Sequence, residues 1–436
     1  MGKNVKTTAD VLVIGGGASG MAAAITAALR GKRVILLEGG KEPGKKILAT
    51  GNGKCNLTHK DVSVSAYHTD DPETLSAFLT AYPTEKVLTF FHDLGLETHE
   101  RNGYYYPLCD QAAMVVKLLR TRMEELGITV IADKVCEGVA SVQGKFMAHT
   151  FDADYYGKGL ILCCGSRAGG YWKHRIDGYT LAASFSHHTA PLYPSLMKLQ
   201  LETDEEWKAM KGLRAQGGIF VPGDELQDFD AGTEGKETET PRDGLYASGE
   251  LQFTQEGISG IPVFQVSGAV AQALSKGENA CVTGYLDLLP EVPPEGVEAY
   301  CRDRIQGFKT QKMDLEKMTP ERFTLGLFTK KILYVVCRQE KMDPGKVFGP
   351  EFEKRALALL QGAKNLGIRI RDHAPLSEAQ VCRGGVYLSE VTSLMESKKT
   401  KGLYLCGEML NVDGICGGYN LHFAFASGIA AGEHVL

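Results

Sequence analysis

The segment that most restricts the fold lies near the start of the chain, between Asp10 and Glu38. A short apolar run, DVLVI, is followed by the glycine-rich turn GGGASG, the helix-forming run MAAAITAALRGK and a second apolar run, RVILL. Continuous apolar runs of this length are typical of strands that are buried on both faces. The segment therefore predicts a strand–helix–strand unit, the building block of a parallel sheet.

The glycines of this turn have the spacing Gly15-x-Gly17-x-x-Gly20, which is a weak signal when it stands alone. Here the turn follows a strand, opens a helix and leads to Glu38 at the end of the second strand. Glycines at these positions permit a tight turn, let backbone approach a pyrophosphate and let the helix pack on the strand. A carboxylate about 20 residues further on bonds ribose hydroxyls and disfavours a 2′-phosphate. The pattern predicts FAD or NAD rather than NADP, and it does not separate the first two.

Composition is that of an ordinary globular protein, with 436 residues, 43% hydrophobic, 23% charged and a net charge of 48 − 53 = −5. The acidic balance provides no basic field for nucleic acid or an anionic membrane. Eleven cysteines without a CxxC pair indicate reduced thiols. No apolar run reaches ~18 residues without polar breaks. We therefore expect a cytoplasmic protein without nucleic-acid or membrane partners.

Three kinds of pattern follow one another along the rest of the chain. Helical and strand-like runs, with helices at about 72–95 and 110–126, continue to the buried run GLILCC. Short alternating runs follow, together with an acidic stretch at 224–244 that we interpret as a hairpin or loop. Helical periodicity then extends over 295–365, and the buried-strand pattern returns in GLYLC. We predict one α/β domain, formed by residues 1–190 and 384–436 and interrupted by an insertion at 191–383.

A second glycine-rich loop, GKKILATGNGKCNLT, runs from Gly44 to Thr58. It combines flexible backbone with Lys45, Lys46 and Lys54, which suits the phosphates of a dinucleotide and the edge of a flavin. A solvated basic loop would have the same composition, so the residues alone leave both interpretations open.

This loop resembles the signature of the FAD-dependent oxidoreductase family that includes aminoacetone oxidases and bile-acid 3-dehydro-Δ4,6 reductases. Segments 249–268, 384–391 and 402–428 are similar to the same family in the same order, so the resemblance runs from residue 9 to the C-terminus. It implies FAD and a Rossmann-like domain of the two-dinucleotide-binding flavoprotein type. It also implies an inserted domain, with a β-barrel at about 191–280 and 366–383 and a helical bundle at about 285–365.

The resemblance also gives a role to the glycine cluster that begins at Gly407. In flavoproteins of this architecture an acidic residue after the strand bonds the ribityl or pyrophosphate, and Glu408 and Asp413 are the candidates. Backbone at Gly417-Gly418 would approach the flavin at a helix N-terminus, which stabilises negative charge. A glycine-rich loop before a core helix is the alternative. The predicted cofactor-binding residues are Gly15, Gly17, Ala18, Ser19, Gly20, Glu38, Gly39, Lys45, Lys46, Thr50, Gly51, Gly53, Lys54, Cys55, Asn56, Val135, Cys164, Gly165, Gly407, Glu408, Asp413, Gly414, Gly417, Gly418, Tyr419, Asn420 and Leu421.

Three positions depart from the family pattern. The chain has CCGSRAGG at 163–170 where an ATGG-like loop is common, Asn411 where Asp is common, and Lys54 where Arg is common. Lysine lacks the bidentate donor geometry of arginine. The two adjacent cysteines, and Cys55 in the lysine loop, are interpreted as packed thiols, because adjacent cysteines rarely form a relaxed disulfide.

His422 and Tyr104 are the candidate catalytic residues. Together with Tyr171 and Trp172 they could line a substrate face, although core packing of the tyrosine and an internally hydrogen-bonded histidine are the favoured alternatives. The pair His187-His188 has no further ligand at suitable spacing, so we predict no metal site.

The favoured function is a flavoenzyme that passes hydride from NADH to FAD and then from flavin N5 to the β-carbon of an activated alkene, with protonation at the α-carbon. Such an alkene is an enone of steroid or bile-acid type, a small hydrophobic substrate. The chain has no second strand-preceded GxGxxG, so NADH or NADPH would visit the flavin transiently. The alternatives are an amine oxidase that uses O₂ and, with less support, a tRNA-associated flavoprotein. The sequence does not predict the oligomeric state.

Overall fold

The chain folds into two compact units. The computed structural model describes residues 5–170, 176–226, 243–277 and 279–436. Tyr171, Trp172 and most of the acidic stretch at 224–244 lie outside these residues. One unit contains the described residues up to Pro194 and those from Leu376 onward, and the other lies between Ser195 and Pro375.

The first unit is a mixed α/β structure. Before the insertion its strands are β1 (Val5–Thr8), β2 (Val11–Ile14), β3 (Val34–Leu37), β4 (Thr58–His59), β5 (Tyr67–Thr69), β6 (Thr98–Arg101), β7 (Tyr104–Pro107), β8 (Thr129–Ile131), β9 (Gly138–Val142), β10 (Lys145–His149), β11 (Ala153–Gly157), β12 (Gly159–Leu162) and β13 (Thr189–Ser195). Its helices there are α1 (Ala18–Leu29), α2 (Pro72–Ala81), α3 (Thr84–Asp93), α4 (Ala112–Glu125) and α5 (Gly178–Ala183).

The second unit contains the strands and helices of the insertion. They are β14 (Leu199–Leu201), α6 (Glu205–Ala209), β15 (Arg214–Pro222), β16 (Gly244–Phe253), β17 (Gly257–Gly260), α7 (Ile261–Leu274), β18 (Val282–Asp287), α8 (Val297–Thr310), α9 (Pro320–Phe323), α10 (Lys330–Gln339), α11 (Phe352–Lys364) and β19 (Leu366–His373). The chain then returns to the first unit with β20 (Val381–Val386), β21 (Leu403–Leu405), β22 (Val412–Gly414) and α12 (Tyr419–His434).

A five-stranded parallel sheet is the centre of the first unit, with the strand order β21-β12-β2-β3-β8. Its registers place Leu12 beside Leu160, and Leu160 beside Leu403. All residues of β2, β3, β12 and β21 are buried, as the continuous apolar runs predict. Because β21 comes from the last 35 residues and pairs with β12, the α/β domain is built from both ends of the chain, which confirms that prediction.

One helix of the first unit differs from the sequence pattern. The helical stretch expected at 72–95 is divided into α2 and α3, and Pro83 is the residue that precedes α3. Proline lacks the backbone N–H that an uninterrupted helix needs. The break therefore has a local cause that the apolar periodicity does not reveal.

The second unit contains a closed barrel with the order β14-β17-β16-β15-β18-β19, and its helices α8 to α11 precede the last strand. The inserted barrel and helices implied by the resemblance are therefore present. Helix α7 was not anticipated, because its sequence begins within a region of short alternating runs. Ten of its 14 residues are buried, and it packs against β15, β16 and β17. A helix that is apolar on most faces lacks the amphipathic signal by which surface helices are recognised.

Helices α1 and α12 lie in backbone contact with each other. A Cβ atom on Gly428 would lie 2.2 Å from the carbonyl oxygen of Ser19, and one on Gly432 would lie 2.7 Å from that of Ala23. At the end of α12, the Arg30 guanidinium donates hydrogen bonds to the carbonyl oxygens of Gly432 and Val435 at 3.0 and 3.1 Å. These contacts hold the two glycine-rich ends of the chain against each other.

This packing predicts opposite effects for two glycine-to-alanine changes. Gly428→Ala is expected to lower the free energy of unfolding by about 2 kcal/mol, because overpacking a tight interior costs about 1–3 kcal/mol. Gly307→Ala in α8, where a Cβ atom would meet nothing within 4 Å, is expected to raise it by up to about 1 kcal/mol. Urea unfolding of both variants measures the two effects, and equal effects would contradict the close helix contact.

Candidate cofactor and active site

Four predicted segments meet at one edge of the parallel sheet. Gly15 follows β2, Glu38 follows β3, Cys163 follows β12, and Gly407 lies two residues after β21. Ligands of open parallel α/β sheets bind in the crevice outside the carboxyl ends of the strands. The fold therefore brings together residues that are nearly 400 positions apart in the chain, and it does so at the edge where a dinucleotide binds.

The first glycines have the geometry that their spacing predicts. Gly15 adopts φ +102°, and a Cβ atom there would lie 2.3 Å from the carbonyl oxygen of Cys163. A Cβ atom on Gly20 would lie 1.8 Å from the carbonyl oxygen of Gly15. By contrast, a Cβ atom on Gly17 would meet nothing within 4 Å. The turn is therefore packed against protein at Gly15 and Gly20 and open at Gly17.

The open position lies at the N-terminus of α1. The first bond within the helix joins Met21 N–H to the carbonyl oxygen of Gly17 at 3.0 Å, and no side chain of the described residues caps this end. The N–H groups of Ala18, Ser19 and Gly20 accordingly have no partner inside the helix. Unpaired N–H groups and the positive end of the helix dipole form an anion site, so the arrangement fits a pyrophosphate.

Glu38 spans the glycine turn. One carboxylate oxygen accepts a hydrogen bond from Gly16 N–H, and the other accepts one from Gly40 N–H, both at 2.6 Å. Each oxygen retains a lone pair, so the carboxylate can still accept from ribose hydroxyls. Gly39 lies between Glu38 and Gly40. The N–H group of Lys134 donates to the Glu38 carbonyl oxygen at 3.0 Å, and the next residue, Val135, is half-buried. Three of the predicted cofactor-binding residues, Glu38, Gly39 and Val135, therefore lie together.

Two lysines of the lysine loop contact carboxylates from other parts of the chain. Lys46 Nζ contacts a carboxylate oxygen of Glu408 at 2.5 Å, and Lys54 Nζ contacts Asp110 at 3.2 Å. Asp110 also contacts His99 at 3.0 Å; His99 and Lys54 lower its pKa. Two of the three lysines thus have carboxylate partners that no local pattern revealed. Lys45, Gly51 and Gly53 lie on the exposed side of the loop, and Thr50 is half-buried.

The two acidic candidates have different environments. Glu408 belongs to the short turn after β21, and besides its contact with Lys46 it accepts a hydrogen bond from Cys382 N–H at 3.2 Å. Asp413 is buried on β22, where it lies 3.4 Å from Arg383 Nε and 3.2 Å from His68 Nδ1. Burial alone would raise the pKa of Asp413, but Arg383 and His68 outweigh it and lower the pKa. Sequence reasoning missed both basic partners, because they come from other strands.

The N-terminus of α12 lies beside an unsatisfied amide. Gly417 and Gly418 adopt φ +135° and +92°, and a Cβ atom on Gly418 would lie 2.7 Å from Asn56 Oδ1. That oxygen is buried and has no hydrogen-bond partner among the described residues. An unpaired buried acceptor costs about 1–3 kcal/mol. A ligand that offers an N–H donor and a carbonyl acceptor, such as the pyrimidine edge of a flavin, would satisfy both Asn56 and the helix N–H groups.

The first turn of α12 is tied to the strand that precedes it. Asn420 Oδ1 accepts from Gly414 N–H at 2.9 Å, and its Nδ2 donates to the Gly414 carbonyl oxygen at 2.7 Å. Tyr419 is buried, Leu421 is half-buried, and the Tyr67 hydroxyl donates to the Tyr419 carbonyl oxygen at 2.9 Å. The turn is thereby held in one position relative to β5 and β22.

The structure gives His422 two protein partners. Its Nε2–H donates to the Tyr82 carbonyl oxygen at 3.1 Å, which leaves Nδ1 to accept from the Thr58 hydroxyl at 2.8 Å. The side chain is completely buried, and burial lowers its pKa to about 4. This geometry favours the internally hydrogen-bonded histidine over the proton donor. Tyr104 is half-buried on β7, and a Cβ atom on Gly417 would lie 2.8 Å from its ring.

The cysteines of the site are packed thiols. Cys55 is fully buried, and burial raises its pKa to about 12. Burial also raises the pKa of Cys164, which precedes Gly165 at φ +68°. A protonated thiol is a poor nucleophile.

Throughout the part of the chain that the structure describes, no cluster of three or more His, Cys, Asp or Glu is placed to hold a metal ion. None of the described helices is long and apolar enough to cross a membrane.

The burial of neutral His422 predicts a pH-dependent stability. Its pKa is about 4 in the folded chain and 6.5 when unperturbed, so the stabilisation is present above pH 6.5 and lost as pH falls towards 4. Between pH 7 and pH 5 the loss is about 2 kcal/mol.

Urea unfolding at both pH values checks this, with His422→Gln as the reference in which that component of the pH dependence is absent. The same difference between pH 7 and pH 5 in both proteins would contradict a neutral, buried His422.

The chain is similar to known proteins over nearly its whole length. The chain is 35% identical over 428 residues, covering 97% of both chains, to the 3-dehydro-bile acid Δ(4,6)-reductase of Clostridium scindens. It is 25% identical over 431 residues, covering 98% of both chains, to the ribosomal RNA dihydrouridine synthase of Escherichia coli. Among solved structures it is similar to a 3-ketosteroid-Δ4-(5α)-dehydrogenase from Rhodococcus jostii, with 14% identity, coverage of 98% and 97%, and a TM-score of 0.44.

The family comparison covers nearly the whole chain. The model of the HI0933-like protein Rossmann domain matches residues 9–434, which include every segment of the site described above. The resemblance inferred from the lysine loop and the two glycine clusters is thereby confirmed. The chain belongs to the HI0933-like Rossmann-domain family.

Proposed function

We propose that this protein is an FAD-dependent oxidoreductase that uses NADH or NADPH to reduce a carbon–carbon double bond conjugated to a ketone. The observation that carries the proposal is the 35% identity, over 97% of both chains, to a 3-dehydro-bile acid Δ(4,6)-reductase. We further propose a small hydrophobic substrate of steroid or bile-acid type. A cytoplasmic location is proposed as well, since reduced nicotinamide is available there and the free thiols stay reduced.

The residues of the sheet edge fit FAD at both of its ends. The N–H groups at the start of α1 would bind the pyrophosphate, and Glu38 would bind the adenosine ribose. Asn56 and the first turn of α12 would bind the pyrimidine edge of the flavin, which supplies the donor that Asn56 Oδ1 lacks. When bound, FAD would supply the two-electron chemistry by accepting and donating hydride.

Other residues would hold the loops and helices in position around the cofactor. The positive end of α12 would stabilise negative charge beside it. The contact of Lys46 with Glu408 holds the turn after β21 close to the lysine loop. His422 links Thr58 and the end of α2 to α12, and we assign it to this positioning rather than to proton transfer. The half-buried Tyr104 ring beside Gly417 is proposed to line the substrate side of the loop.

A second candidate function is the reduction of uridine in ribosomal RNA. The 25% identity over 98% of both chains to the Escherichia coli dihydrouridine synthase favours it, because forming dihydrouridine also saturates a conjugated double bond. The net charge of −5 opposes it, since RNA-binding surfaces are usually basic. No contact in the described residues specifically favours the amine-oxidase alternative. That activity can be distinguished from the proposed reduction because it forms peroxide.

The proposal predicts three results in one anaerobic experiment. The protein reconstituted with FAD should lose its visible absorbance on titration with NADH or NADPH. A 3-oxo-4-ene bile acid should restore the absorbance and yield one saturated ketone per nicotinamide oxidised.

Aminoacetone with O₂ and a ribosomal RNA fragment are the comparison substrates. Stoichiometric peroxide with the amine, or dihydrouridine in the RNA without any reduction of the enone, would contradict the proposed substrate class. A chain that cannot take up FAD would contradict the whole proposal.

The open space at Gly17 predicts a separate effect on FAD binding. Gly17→Ala should weaken FAD binding at least tenfold, because the added methyl group occupies the space in front of the α1 N–H groups. The apoprotein should lose no more than about 1 kcal/mol, the usual difference between Gly and Ala at a helix N-cap.

Gly138→Ala in β9 is the matched control, since a Cβ atom there also meets nothing within 4 Å and lies away from the sheet edge. FAD titration by fluorescence and urea unfolding measure the two quantities. Unchanged FAD affinity in Gly17→Ala would exclude this turn as the pyrophosphate site.

A further inference from the structure

The side chains of His68, Arg383 and Asp413, from three different strands, converge beside the loop that leads into α12. His68 on β5 lies directly opposite Asp413 on β22 in an antiparallel pair, and their side chains approach to 3.2 Å. Arg383 on β20 contacts the other oxygen of Asp413 at 3.4 Å. We propose that His68 is the proton donor to the substrate α-carbon and that Asp413 positions it. This inference rests on the double-bond reduction proposed above.

Burial distinguishes the roles within this group. The side chains of Asp413 and Arg383 are 3% and 10% exposed, whereas that of His68 is 26% exposed. Arg383 therefore compensates the buried charge of the Asp413 carboxylate. The His68 imidazole is the most exposed of the three side chains. Its Nδ1 faces Asp413, and its Nε2 has no hydrogen-bond partner within the described residues, so this nitrogen is available to a substrate.

Asp413 of this group belongs to the loop that was predicted to pass the flavin. Asp413 immediately precedes Gly414, whose backbone N–H and carbonyl groups are both bonded to Asn420 in the first turn of α12. Next to His68, the Tyr67 hydroxyl is bonded to the backbone of Tyr419 in the same turn. The residues that flank His68 and Asp413 are thus tied to the start of α12, which fixes the pair relative to the N–H groups proposed to bind the flavin.

The chemistry of the pair matches the proton that the reaction requires. Hydride addition at the β-carbon moves the electrons of the double bond towards the carbonyl, and the α-carbon then takes a proton. The Nε2–H bond of His68 breaks, a C–H bond forms at the α-carbon, and the neutral imidazole is reprotonated from water. The buried Asp413 carboxylate, 3.2 Å from Nδ1, limits the orientations of the ring. His422, which is buried and bonded at both ring nitrogens, cannot perform this transfer.

The test uses the FAD-loaded protein and the variants His68→Gln and Asp413→Asn. His149→Gln is the matched control, because His149 also lies opposite an aspartate in an antiparallel pair, Asp154 on β11, with Nδ1 at 2.7 Å. The flavin is reduced anaerobically with dithionite and reoxidised either by a 3-oxo-4-ene bile acid or by ferricyanide. Only the first reaction needs a proton on carbon.

His68→Gln is expected to slow reoxidation by the enone at least 100-fold, within the usual contribution of a general acid, and to leave reoxidation by ferricyanide within twofold. Asp413→Asn should slow the enone reaction by a smaller factor and change the ¹⁵N chemical shifts of the His68 ring. His149→Gln should change neither rate. In D₂O the wild type should place deuterium on one face of the α-carbon, and His68→Gln should lose this selectivity.

Other outcomes overturn the inference in distinguishable ways. Reoxidation of His68→Gln by the enone within threefold of wild type, with the same deuterated face, shows that His68 is not the donor while the proposed function stands. Equal slowing with enone and ferricyanide shows a structural role only. A wild-type flavin that ferricyanide reoxidises and the enone does not contradicts both the proposed function and the proton donor that depends on it.

Discussion

The rest of the site depends on backbone contacts at glycines that leave no room for a side chain. Gly15 lies against the backbone of Cys163, Gly20 against Gly15, and Gly428 against Ser19, each so closely that a Cβ atom would overlap a carbonyl oxygen. Rigid contacts of this kind set the height of α1 and α12 above the parallel sheet. Because Ser19 is the second residue of α1 and Gly428 is the tenth residue of α12, the contacts also set the separation of the two helix N-termini that a dinucleotide would span.

The electrostatics of the site follow from these positions. Most of the charged side chains near the sheet edge already have partners: Lys46 with Glu408, Lys54 with Asp110, and Arg383 with Asp413. Charges paired in this way contribute little net potential to an incoming pyrophosphate. In the proposed site, binding of the anion would therefore depend mainly on oriented N–H groups, which are fixed when the helices pack and need no rearrangement. The ion pairs would then stabilise the loops rather than bind the anion.

The sequence predicted the features that local chemistry determines. Gly15, Gly17 and Gly20 mark a strand–turn–helix because each has a steric task, and buried apolar runs identify the strands of the parallel sheet. It did not predict pairings such as Lys46 with Glu408, which are 362 residues apart, or His68 with Asp413, since no local pattern links them. Helix α7 was missed for a different reason, because burial on most faces removes the periodicity that reveals a helix.

The interleaved chain order has a consequence for how the protein acquires its cofactor in the cell. Strand β21 and helix α12 lie within the last 35 residues, while β2 and α1 lie within the first 30. During synthesis on the ribosome, the barrel and its helices are complete before the sheet edge is. The part of the site proposed to bind the flavin can be assembled only after β21, β22 and α12 have been synthesised. Until then α1 lacks its partner helix α12, which is made about 400 residues later, and its apolar face stays exposed to aggregation and to chaperones.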